Sequence, residues 1–148
     1  MSTEVEIERE RCTRLRGFRH GSHDFVAALR GAEALKKHND NTERNYLSPS
    51  SKDVPGIIID RKTKELLVIV ACIAQNDRVA HMQCHMWAAH KAGASPDEIL
   101  AVIYFIGQFV GGIAKLNGLE AWRATFRPDL PSVDQVSELG EVERSAVG

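Results

Sequence analysis

Two histidines, His81 and His85, stand four residues apart in the stretch Val79-Ala-His-Met-Gln-Cys-His-Met-Trp-Ala-Ala-His-Lys-Ala-Gly93. Residues one turn apart project from the same side of a helix, so both imidazoles can address one point. Imidazole exchanges a proton near neutral pH, which suits such a pair to general acid/base catalysis. Ala88 and Ala92 continue that side. Small residues there either leave room for a ligand or let another helix approach. The plainer alternative is a pair of hydrogen-bonded or partly exposed core histidines. Glu65 is the second candidate. At roughly 100° per residue it shares a helix face with Val68, Ile69 and Cys72. A carboxylate on an apolar face loses hydration and becomes able to hold or pass a proton. An ion pair with Arg61 or a neighbouring helix is its structural alternative.

Other reactive side chains carry weaker signals. The HxxxH spacing is compatible with a metal, with Glu65 or Cys84 as a third ligand. Cys84, however, points roughly 100° away from His85 on a helix, and neither an HExxH nor a second cysteine at ligand spacing supports the idea. No metal and no cofactor are expected. Adjacent helical residues do not face each other, so Cys84 reads as a small packed thiol rather than a nucleophile paired with His85. Cys12, Cys72 and Cys84 form an odd set without a CxxC pair. That argues against a disulfide framework and for a reducing, cytoplasmic setting. His90 falls on another face and reads as structural or interfacial. His20 and His23 bracket a glycine turn and carry no specific signal. Gly111-Gly112 lacks the preceding strand and following Lys-Ser/Thr of a phosphate loop and reads as a kink or packing point.

The elements that must position these residues are all helical. Thr3 and Glu6 fit a capping box ahead of a charged helix running to about Arg16. After Gly17 and Gly21, Ser22 can cap a helix from His23 to about Lys37, with Phe25, Ala28, Leu29 and Ala32 on one stripe. From His38 to Gly56 the composition turns to Asn, Asp, Ser and Pro, which reads as a long loop that is either functional or a plain surface excursion. Asp60 then caps a helix from Arg61 to about Gln75 that is apolar nearly all round, as in the middle of a core. A second helix from Arg78 to Ala92 stops at Gly93. Ser95-Pro96-Asp97-Glu98 starts a third with its cap, its first-turn proline and its reciprocal glutamate. That run is apolar to Val110, and a last helix covers Ile113 to Phe126. Past Pro128 the chain reads as a polar, loosely held tail. Only Gly56 to Ile59 could be extended.

The chain has 148 residues, enough for one domain with a sizeable core. With 43% hydrophobic and 26% charged residues it falls in the ordinary globular class. A formal net charge of −1 gives no electrostatic case for nucleic acid or an anionic membrane as partner. The longest apolar run, Leu66 to Ala74, is about half the roughly 20 residues of a membrane span. The N-terminus has no secretory-signal pattern.

Taken together, Asp60-Arg-Lys-Thr-Lys-Glu-Leu-Leu67, the apolar helix after it, and His85-Met-Trp-Ala-Ala-His-Lys-Ala-Gly93-Ala-Ser-Pro-Asp-Glu-Ile99 resemble the carboxymuconolactone decarboxylase family, which includes the alkylhydroperoxidase D-like proteins. The resemblance covers about Pro55 to Leu119, with Glu65, His85, Gly93 to Ile99 and Gly111 on the family's pattern positions. It implies an all-α, alkylhydroperoxidase D-like domain of about six helices around a central hairpin, Arg61 to Ala92. Residues 1–54 form an N-terminal arm, 55–126 the family-like core and 127–148 a tail of one domain. The resemblance also implies assembly into trimers, hexamers or similar rings.

The peroxidase branch uses a CxxC pair four residues ahead of its histidine. Here Arg78 and His81 hold those places, so dithiol cycling lacks its sulfurs. The lactone decarboxylase commonly has Arg where this chain has Gln83. An acidic residue and a proline usual in the later helices are Ala101 and Ile113. The functional expectation is cofactor-free decarboxylation of a small carboxylated or lactone-type molecule. His85 would exchange the proton and Glu65 relay or orient, roles carried by the resemblance. His81, from geometry alone, would support the substrate. A single-thiol redox role for Cys84 or Cys72, or a non-catalytic binding or assembly protein, are the alternatives.

Overall fold

In the computed structural model the chain is described over residues 2–48 and 54–140. Six α-helices and one π-helical segment follow one another: α1 (Glu4–Arg16), α2 (Gly21–Asn41), the π-helix (Thr42–Leu47), α3 (Arg61–Ala74), α4 (Val79–Lys91), α5 (Pro96–Val110) and α6 (Gly112–Phe126). Among the described residues there is no strand. The extended piece expected at 56–59 is reduced to an isolated bridge at Ile58. The all-α expectation and the central hairpin, α3 packed on α4, hold.

Helix starts follow local chemistry closely. Thr3–Glu6 and Ser95–Glu98 both close full capping boxes, with Pro96 in the first turn of α5. Asp60 caps α3 by accepting the Thr63 N–H at 2.7 Å. The N-cap of α2 is His20 rather than Ser22: its Nδ1 accepts the Ser22 N–H at 3.2 Å, which starts the helix at Gly21.

The core lies among α3 to α6, where Ile69, Ile73, Met82, Met86, Ile99 and Ile103 are fully buried. Each such side chain stabilises the fold by about 1.5–3 kcal/mol relative to exposure. α6 can sit this close because residue 118 is glycine: a Cβ there would meet Ile73 Cδ1 at 3.0 Å and Ile103 Cγ2 at 3.2 Å. Trp122 pins α6 to the start of α5, its Nε1–H donating to the Pro96 carbonyl at 2.8 Å.

Several expectations need correction. α3 is not enclosed on all sides: Leu67 is 55% exposed, while Glu65, Ile69 and Ile73 are fully buried. The α2 stripe of Phe25 and Leu29 faces outward, at 65% and 68% exposure, and the buried face is His23, Ala27, Leu35 and Asn39. The loop expected from His38 is helical through Leu47; residues 49–53 of it lie outside the described residues. The reason is tertiary. Asn39 is fully buried, its amide donates to the Glu8 carbonyl and carboxylate at 2.9 Å each, and its oxygen accepts from Arg16 at 2.7 Å. Such bonds outweigh the poor helix propensity of an Asn-rich run. The tail is held at its start: Arg123 donates to the Leu130 carbonyl at 2.9 Å and the Val133 N–H to Glu120 at 2.8 Å. Residues 141–148 lie outside the described residues.

Candidate active site

The α3–α4 turn sets the site. Asn76 adopts a left-handed φ of 54°, and the Asp77 N–H closes back on the Cys72 carbonyl at 2.9 Å. Asp77 then does two jobs at the entry to α4. Its Oδ1 accepts the Arg78 N–H at 2.7 Å, and its Oδ2 takes His81 Nδ1 at 2.5 Å. With the hairpin closed this way, Glu65 on α3 meets His85 on α4 although twenty residues separate them.

Glu65 has no exposed surface. The Arg61 guanidinium donates to its Oε1, 2.6 Å from Nε, while Oε2 accepts from His85 Nδ1 at 2.8 Å. With Nδ1–H committed to the carboxylate, Nε2 is the ring atom left for chemistry, the arrangement by which a buried carboxylate orients an imidazole. Nε2 of His85 lies 3.3 Å from Nε2 of His81. Since His81 Nδ1 is likewise held by Asp77, the two Nε2 atoms converge, and one proton between them resolves the facing lone pairs. The three residues singled out in the sequence therefore do meet.

Residues that carried no signal in the sequence complete the site. A cavity of about 300 Å³ opens in front of the imidazole pair, walled by α1, α2 and the π-helix. Phe18 packs edge-on against His85 with ring centroids 5.4 Å apart, and His20 against His81 at 5.6 Å. His23 Nδ1 accepts the His20 N–H at 3.0 Å, which leaves its proton on Nε2. Burial first, and then the Arg16 charge, hold His23 down at about 4 and lower His38 as well. His20 and His23, which bracket a glycine turn, carried no specific signal in the sequence. Arg16, Thr42 and Tyr46 on the same wall have no sequence signature at all, because three separate segments bring them together.

Cys72, not Cys84, approaches the histidines, with Sγ 3.9 Å from His81 Nδ1. Cys72, Asp77 and His81 each place one donor atom within 4.8 Å of the others, a trio a divalent cation could bridge. Neither Glu65 nor Cys84 belongs to such a group among the described residues. Burial, aided by Asp77, pushes the Cys72 thiol up to about 12, and burial raises Cys84 too. Both are poor thiolates. His90 serves structure, its Nδ1 bonding the Ala94 carbonyl at 2.9 Å where α4 ends.

Among the described residues the chain is thus a six-helix domain whose central hairpin presents a carboxylate-oriented histidine to a cavity. Residues 58–124, which include Glu65, His81 and His85, match the model of the carboxymuconolactone decarboxylase family. Arg16, Phe18, His20, His23 and Tyr46 precede the match. No curated protein and no solved structure matches the chain. Among the described residues no helix is long and apolar enough to cross a membrane.

Proposed function

We propose that the protein is a decarboxylase-type enzyme that performs cofactor-free acid/base chemistry on a small carboxylated or lactone-type molecule. The observation that carries this reading is the fully buried Glu65 carboxylate fixed between Arg61 and His85 Nδ1, which turns His85 Nε2 toward the cavity. In the reaction the substrate's carboxylate leaves as carbon dioxide and the electrons of the broken C–C bond stay on carbon as a delocalised carbanion. The proton held at His85 Nε2 passes to that carbon, and the neutral imidazole recovers a proton from solvent. Glu65 fixes the ring and stabilises its cationic form. His81 shares the Nε2 proton and keeps it on the cavity side. A thiol peroxidase reading has less support, because burial raises both nearby thiols and the sequence offers no second cysteine at CxxC spacing.

Self-association into a ring is part of the same proposal. Phe25, Leu29, Phe105, Phe109 and Ile113 each leave more than half of their surface exposed, and exposed large apolar side chains of this kind suit burial against other copies.

The direct test incubates the wild-type protein and His85→Ala with lactones, β-keto acids and unsaturated dicarboxylic acids and follows the products by mass spectrometry. Loss of carbon dioxide from one compound with the wild type alone is the expected result. A screen without any His85-dependent product would discard the reading.

A further inference from the structure

Arg16, the last residue of α1, keeps only 6% of its surface exposed, yet among the described residues it forms no ion pair. Its guanidinium donates to Cys12 Sγ at 3.2 Å, Asn39 Oδ1 at 2.7 Å and Thr42 Oγ1 at 2.5 Å, all neutral acceptors. Other half-buried arginines of the fold, Arg11, Arg61 and Arg123, each face a carboxylate. A buried cation without a counter-charge is costly, and it persists where an anion completes it.

The surroundings of Arg16 point to where that anion comes from. Arg16 lines the cavity in front of His81 and His85, and no Asp or Glu is among the residues that wall it. The two carboxylates nearest the imidazoles are already committed, Glu65 to Arg61 and His85, Asp77 to His81. On the same wall the Tyr46 hydroxyl is buried with no hydrogen bond of good geometry, and burial first, then the neighbouring Glu65 carboxylate, keep its proton on the oxygen. The cavity thus offers one fixed positive charge, a protonated tyrosine hydroxyl and the Nε2–H of His23, and no Asp or Glu in its lining. These are the groups that recognise a carboxylate.

We propose that Arg16 anchors the carboxylate of the ligand in this cavity, with the Tyr46 hydroxyl as a second contact, so that the segment ahead of the family-matched core sets the specificity for anionic substrates. The proposal rests on the cavity being the reaction site and adds the group that holds the substrate there. The Arg16 charge also favours neutral His23 and His38. The positive charge on this wall is therefore concentrated at one guanidinium, opposite the proton-bearing pair. A carboxylate bound to Arg16 presents the rest of a small molecule to His85 Nε2.

The test measures binding, so it does not depend on finding a turnover. The full chain is titrated with benzoate, with its uncharged isostere benzamide and with inorganic phosphate, at constant ionic strength, by calorimetry and by thermal melting. The wild type is expected to bind benzoate at least tenfold more tightly than benzamide, and to melt several degrees higher in saturating benzoate. Arg16→Met should lose that preference, whereas Arg16→Lys should keep part of it. Tyr46→Phe should weaken benzoate severalfold and leave benzamide unchanged. Should Arg16→Met fail to fold, Arg16→Lys and Tyr46→Phe still decide the matter. Equal binding of benzoate and benzamide, no binding of either, or phosphate bound in place of benzoate overturns the proposal, as does a folded Arg16→Met that keeps the preference. An Arg16-dependent preference without any turnover removes the decarboxylase reading and leaves the anchor. A His85-dependent turnover without carboxylate preference does the reverse.

Discussion

The α3–α6 bundle and the α1–α2 pair face each other across the cavity, and they bury different things. The bundle buries isoleucines, methionines and alanines, and its buried acids are Glu65, with the imidazole it orients, and Glu120, paired with Arg123. The pair buries Cys12, Ala27 and Leu35 together with Arg16, His23 and Asn39, joined by hydrogen bonds from α1 to α2 and on to Thr42 of the π-helix. One side holds a reactive group rigidly by close packing. The other is a polar framework whose hydrogen-bonding groups are turned partly toward a ligand. Packing of the first kind tolerates no vacancy. A framework of the second kind depends on each partner being present and on the protonation state of its histidines.

Loss of the oriented imidazole has the largest expected effect. His85→Ala should lower turnover of the substrate found in the screen by roughly 10²–10⁴-fold, the usual contribution of a positioned acid/base group. Stability should fall as well, by about 1–3 kcal/mol, since the fully buried Glu65 carboxylate loses the partner of its Oε2. Among purely structural changes the bundle should be the more sensitive. Ile103→Ala, at a fully buried position, is expected to cost about 2–5 kcal/mol in urea unfolding.

The α1–α2 pair should answer to pH instead. His23 titrates near 4 in the fold against an ordinary value of 6.5. Between those values the unfolded chain takes up a proton that the folded chain refuses. Stability therefore falls as pH drops from 6.5 toward 4, by up to about 3 kcal/mol, and is fully present above 6.5. His38, shifted the same way, adds to the same slope. His23→Gln should flatten most of the difference between urea midpoints measured at pH 7 and pH 4.5; an unchanged difference would remove His23 as the cause. Asn39→Ala should have the smallest effect, about 1–3 kcal/mol, from leaving Arg16 and Glu8 without their shared partner. If it costs as much as Ile103→Ala, the polar framework is as unforgiving as the apolar core, and the contrast drawn between the two regions fails.

The chain order of residues determined a good deal by itself. Caps at Thr3, Asp60 and Ser95, and the stops at Gly17, Gly93 and Gly111, are local devices, so the helices they bound were legible without knowing any neighbour. The i, i+4 pair of His81 and His85 was legible for the same reason, and Glu65 stood out as an acid on an apolar face. Features that depend on partners far along the chain were not legible in this way. Asn39 looked like a loop residue until Glu8 and Arg16 supplied its hydrogen bonds. Phe25 and Leu29 looked like a buried stripe until α2 turned its other face inward. Arg16, His20, His23 and Tyr46 drew no notice as chemistry, because a cavity wall made by three segments has no period in sequence. Local propensity is written residue by residue. The compensation of a buried charge is settled only when the chain has closed around it.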